Sequence, residues 1–130
     1  MLFRSANVMP VPYRLAVTST LILLASGLAM HAWLRQQTES AAAALWGALA
    51  YMAAPYHLLD YYMRGAYAEF TAFVFLPLVL LNLRRPVLLA LAYAGLLLSH
   101  LPSALLVTVT VLPAYALARA PTPEIGRAHV

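Results

Sequence analysis

The sequence predicts an all-α protein: a polytopic bundle of about five transmembrane helices that forms a piece of a larger protein. Three observations carry this reading. Hydrophobic residues fill 64% of the 130 positions and charged ones 9%, against roughly half and a quarter in an ordinary globular domain, so too little polar surface exists to face water. Charge-free runs cover residues 15–34, 40–59, 70–83 and 86–118, several of them near the ~20 residues a helix needs to cross ~30 Å of hydrocarbon. No alternating strand pattern is present, and lipid accepts only helices or closed barrels. Cysteine and lysine are absent and all eight basic residues are arginine. Neither a redox compartment nor a nucleic-acid partner is indicated.

Both termini read as foreign to the protein. Residues 124–130, "EIGRAHV", match the translation of a common short-read sequencing adapter, and residues 1–5, "MLFRS", match the opposite-strand adapter end. Such additions are set aside before fold reasoning. The genuine piece is then residues 6–123, one section of a transmembrane domain whose other helices lie elsewhere in its own chain. Arg4, Glu124, Arg127 and His129 belong to the additions and carry no information about the protein.

The first span is expected over residues 13–34, followed by the polar turn "RQQTES", in which Thr38 or Ser40 can cap the next helix. The second span follows over 40–59. Gly65 interrupts the pattern, and a third span runs over 66–83 with Pro77 as a tolerated kink. Arg84, Arg85 and Pro86 close it. Residues 86–118 as one helix would measure ~50 Å, longer than the membrane. "SHLPS" at 99–103 therefore divides them, because Pro102 cannot donate to the helix ladder and disfavours helical geometry at Leu101. Two short spans result, 87–99 and 103–118, the second kinked at Pro113.

Arginine accumulates in short cytoplasmic loops, which tests this count independently. Five spans put Arg35, Arg84, Arg85 and Arg119 on one face and Arg14 with Arg64 on the other, so the first face is expected to be cytoplasmic. Trp33 beside Arg35, and Tyr56, Tyr61, Tyr62 and Tyr67 about the opposite loop, fall where an aromatic belt would. His31, Trp46 and Met52 read as packing residues, and "SAAAALWGALA" as a surface that lets helices approach closely.

The segment "HLLDYYMRGAYAEF", residues 57–70, concentrates charge between two apolar spans. His57, Asp60 and Arg64 share a helical stripe, Asp60 and Arg64 at pairing distance, with Glu69 one turn into the returning helix and His100 brought to the same face by "SHLPS". An ionisable side chain near a span costs about 2.5–3.5 kcal/mol at the membrane centre on insertion scales, so a cluster of them suggests a site. Each also has a plainer reading. Asp60 and Arg64 can be an ordinary exposed pair, His57 and His100 interfacial polar residues with no metal-ligand spacing, and Glu69 a carboxylate reaching for the headgroups.

The stretch "APYHLLDYYMRGAYAEFTAFVFLPLVLL" followed by "LLLSHLPSALL" resembles the family called 6-pyruvoyl-tetrahydropterin synthase-related membrane domain, which is grouped with GT-C type membrane glycosyltransferases. The shared pattern is Tyr56, Asp60, Tyr62, Arg64, Gly65, Glu69, Pro77, Ser99 and His100, with R-G-x-x-x-E its most specific part; the Asn usual after the His is Leu101 here. The resemblance implies a bacterial or archaeal cell membrane and sugar transfer from a polyprenyl-phosphate donor at the outer face. On that view Glu69 and Asp60 are candidate catalytic carboxylates, and Arg64, His57, His100 and Tyr62 candidate substrate-binding residues. An arginine fork suits a lipid phosphate and a carboxylate suits an acceptor hydroxyl as base. The principal acid of the superfamily lies in a first outer loop, expected upstream of this fragment, which alone should be inactive. No cofactor or metal site is identified in the residues, although the resemblance leaves room for a divalent metal in the full-length protein. Pterin synthase chemistry itself is excluded, because it needs a cluster of zinc-binding histidines that this chain lacks. Two other classes compete: a transporter using the broken helix at 99–103 as a substrate path, and a non-catalytic membrane assembly subunit.

Overall fold

The computed structural model describes residues 10–119, and both adapter-like ends lie outside them. Among these residues the ordered elements are all helical. Helix α1 spans Val11–Gln37 and begins with Pro12 in its first turn, where the missing N–H costs no bond. Helix α2 spans Ala41–Met52, and Ser40 caps it by accepting a hydrogen bond from the Ala43 N–H at 3.2 Å. Of the two cap candidates, Ser40 takes the role.

The second expected span, 40–59, is broken. Helix α2 stops at Met52, and a short helix α3 restarts at Pro55–Leu59. Pro55 explains this: it disfavours helical geometry in the residue before it, and Ala54 is extended at φ −56° and ψ 131°. A π-helical turn, Asp60–Arg64, follows and is closed by Gly65 at φ 60°, with the Ala66 N–H donating to the Asp60 carbonyl at 3.0 Å. That left-handed conformation is where glycine is favoured.

Helix α4 spans Tyr67–Leu81 with Pro77 inside it. Pro77 leaves the Phe73 carbonyl without its usual donor, and the Tyr51 hydroxyl supplies one at 2.9 Å from the end of α2. Helix α5 spans Pro86–Ser99, and α6 spans Leu101–Val109. The break between them lies at His100, extended at φ −155° and ψ 101°, while Leu101 and Pro102 already belong to the first turn of α6. Helix α7, Val111–Arg119, continues from α6 after a bend at Thr110, three residues before Pro113.

Close approaches fix how these helices run. A side chain at Gly27 would strike Met52, one at Gly47 would strike Leu34, and one at Gly95 would strike Phe75. Helix α2 therefore returns along α1, and α5 along α4. Tyr93 on α5 hydrogen-bonds Thr108 on α6, so the chain doubles back at His100. Helix α4 lies beside α1 in the same direction, since Arg14 and Thr18 share a cleft with Tyr67 and Thr71 while Trp33 and Gln37 share one with Leu80 and Arg84. The core joins Ala72 and Val79 of α4 to Ala92 and Leu96 of α5 and Ala104 and Val107 of α6.

Two helices are long and apolar enough to cross a membrane, Val11–Gln37 and Leu101–Ala118, while Tyr67–Leu81 and Pro86–Ser99 are apolar but shorter. Small and weakly polar residues fill the interfaces: Ser19, Ser26, Ala29, Ala44 and Ala48 are buried. Large apolar side chains point outward, with Leu28, Leu98 and Leu117 exposed. His31 and Met52 line the α1–α2 seam as packing residues. Trp46 does not; it is 70% exposed, because α2 turns its Ala44 and Ala48 stripe inward.

Candidate functional site

Gly65 turns the chain so that Arg64 at the end of the π turn meets Glu69 in the first turn of α4. Arg64 Nη1 donates to Asp60 Oδ1 at 2.9 Å and lies 3.2 Å from Glu69 Oε2. The Tyr56 hydroxyl donates to Glu69 Oε1 at 2.5 Å and accepts from Arg64 Nη1 at 3.3 Å. Glu69 also lies where a helix N-terminus favours negative charge.

Exposure is graded across this cluster. The Asp60 side chain is wholly buried, Glu69 is 12% exposed and Arg64 49%. Burial is the main cause that pushes the Asp60 carboxyl above its ordinary pKa, the Glu69 charge adds to this, and Arg64 and then His100 oppose it. Helix α5 returns along α4, so the "SHLPS" turn lies at the same end of the bundle as the charged turn. The His100 ring itself is held through Nδ1 to Ser103 Oγ at 2.8 Å.

His57 and Tyr62 stand apart from the ion pairs. His57 is 3% exposed, stacks on Phe73 with centroids 3.8 Å apart and meets the Tyr51 ring edge-on at 4.7 Å. Neither of its ring nitrogens has a hydrogen-bond partner among the described residues. Tyr62 is exposed and packs against Tyr61 at 4.7 Å. Both border a cavity of about 240 Å³ between α1 and the α3 segment, with Ser19, Thr20, Tyr61 and Phe70 among its walls. The six expected site residues thus divide into an ion-paired group, Asp60, Arg64 and Glu69, with His100 near it, and an aromatic-bounded pair, His57 and Tyr62.

Tyr56 is the residue that site reasoning from the sequence left in the background, as a motif and belt position only. Once Pro55 is taken as a helix start, Tyr56, Asp60 and Arg64 fall four residues apart on one stripe. Tyr51 was missed for another reason. Its role follows from Pro77, 26 positions away in sequence, through the carbonyl of Phe73. Among the described residues no group of three or more His, Asp or Glu side chains could hold a metal ion.

This end of the bundle contains 53–67 and the turn at His100; the other contains 33–40, 82–86 and Tyr115. Arg35, Arg84 and Arg85 belong to the second end. Compared with protein-family models, curated proteins and solved structures, the chain finds no match.

Proposed function

We propose that the chain is a section of a polytopic membrane glycosyltransferase of GT-C type, with the Arg64 cluster binding the phosphate of a polyprenyl-phosphate sugar donor at the outer membrane face. The membrane reading is supported by helices that bury alanine, serine and glycine while turning leucine outward, the distribution that suits association in lipid, where small residues let backbones approach. The shorter helices Tyr67–Leu81 and Pro86–Ser99 complete the crossing set where the bilayer thins locally around them. Arginine bias supports the orientation, since Arg35, Arg84 and Arg85 gather at the end away from the cluster.

One observation carries the functional reading. The contacts that Arg64 makes to Asp60, Glu69 and Tyr56 fall on Nη1, on a side chain half exposed, which leaves the rest of its planar fork for a phosphate to accept from. Asp60, closed off from solvent, acts as a positioning residue for Arg64. Glu69, partly exposed and hydrogen-bonded by Tyr56, is the candidate base for an acceptor hydroxyl. Charge gathered at a helix end, and not at the middle of a span, favours this over a transport path through the broken helix at 99–103.

The test uses the full-length protein in membranes with a polyprenyl-phosphate sugar. Arg64→Lys, which keeps a charge beside Asp60 but not the planar fork, and Glu69→Gln are expected to abolish transfer while the amount of protein inserted in the membrane stays at the wild-type level. Unchanged turnover in both variants removes these residues from any site.

A further inference from the structure

We propose a second binding site at the opposite end of the bundle, for the phosphate headgroup of an anionic membrane lipid. A cleft of about 360 Å³ opens there between the end of α1, the α4–α5 turn and α7. Trp33, Gln36 and Gln37 form one wall, Leu80 and Arg84 another, and Tyr115 the third.

The chemistry of these walls selects the ligand. Arg84 is exposed and, among the described residues, has no carboxylate or other polar partner. A phosphate accepts two N–H groups of its fork at once. The Gln36 and Gln37 amides are suited to the glycerol or ester oxygens that accompany a lipid phosphate. Trp33 is the residue type enriched at the headgroup level, and Leu80, Leu81 and Leu83 give the cleft an apolar wall suited to the start of an acyl chain. A free phosphate ion would make no use of that apolar wall. The surrounding charge agrees. Arg35 and Arg85 belong to this end as chain neighbours of Gln36 and Arg84, while of the described acids only Glu39 does, and its backbone carbonyl is the atom that accepts from Arg35 at 3.1 Å. Basic clefts between helices on the cytoplasmic side bind anionic headgroups in this way.

The site rests on the membrane reading of the bundle but not on sugar transfer, so neither the ligand nor the assay touches the Arg64 cluster. The full-length protein purified in dodecyl maltoside is titrated with phosphatidylglycerol or phosphatidylcholine, and bound lipid is counted by native mass spectrometry. Phosphatidylglycerol is expected to bind about fivefold or more tightly than phosphatidylcholine, in keeping with the attraction of one arginine at an anionic surface. Arg84→Gln is expected to erase that preference, and Arg84→Lys, which keeps the charge, to retain most of it and so exclude a folding defect. Arg14→Gln, at the other end, is expected to leave it unchanged. Equal affinity for the two lipids, an undiminished preference in Arg84→Gln, or full displacement of phosphatidylglycerol by millimolar inorganic phosphate would each overturn the proposal.

Discussion

At one end of the bundle Arg64 is gripped by Asp60, Glu69 and Tyr56, all within 3.3 Å; at the other, Arg84 meets no acid among the described residues and borders an open cleft. The same side chain is thus placed in opposite circumstances about one helix length apart. The difference lies in the turns. The α4–α5 turn is short and carries Asn82, a neutral side chain that donates to the Leu78 carbonyl at 2.8 Å, so the turn itself brings no acid to the adjacent arginines. The turn that carries Arg64 is long, starts at a proline, passes through a π turn and closes on a left-handed glycine, which brings carboxylates in from both sides. A helix end can therefore hold an arginine by one side of its fork or leave the whole fork to the surroundings, and the length and breaks of the adjoining turn decide which.

The contrast can be broken most severely by Arg64→Leu, which leaves Asp60 buried without a counter-charge. We expect it to lower the melting temperature in detergent more than any other change named here, at least twice as much as Tyr51→Phe. Gly65→Ala comes next. No atom lies within 4 Å of the added methyl, but the φ of 60° remains, and the left-handed conformation costs about 1–2 kcal/mol for a residue with a Cβ. Chemical unfolding should register that loss, and an unchanged stability would mean that the turn has another conformation. Tyr51→Phe removes the donor to the carbonyl freed by Pro77, with an expected cost of about 0.5–1.5 kcal/mol. The double variant Tyr51→Phe with Pro77→Ala should recover part of it, since the helix then supplies its own donor.

A pH titration sharpens the same comparison. The raised pKa of Asp60 means that the folded chain keeps a proton that the unfolded chain has lost, in the window between the ordinary carboxylate value and the raised one. Stability is therefore expected to fall as pH rises through that window. The slope should vanish in Asp60→Asn, and an identical pH profile in that variant would assign the titration to another group. The smallest effect is expected from Arg84→Leu, an exposed side chain without a partner among the described residues, whose unfolding free energy should stay within about 0.5 kcal/mol of wild type.

Much of the bundle was legible from breakers and charge. Gly65, Pro86 and the "SHLPS" turn interrupt helices where the apolar runs suggested, and Asp60 with Arg64 shows its pairing in a spacing of four. Pro55 was available to be read too, yet the continuous apolar run around it hid the break between Met52 and Pro55. Trp46 was misplaced because α2 is apolar on every side, so hydropathy does not say which face is inward.

By itself, then, the sequence determined that the chain is helical and where most helices end, because a proline ring or a left-handed glycine acts on its own neighbours whatever the tertiary context. It also determined the local pairing of Asp60 with Arg64. Only the tertiary structure decided that Tyr51 completes α4, that His57 is walled in by aromatic rings, and that Arg84 shares a cleft with Trp33 and Tyr115. Helices apolar all round carry no stripe to orient them. Their facing was set by steric fit, with Gly27, Gly47 and Gly95 admitting Met52, Leu34 and Phe75, and a fit of that kind exists only once both surfaces are in place.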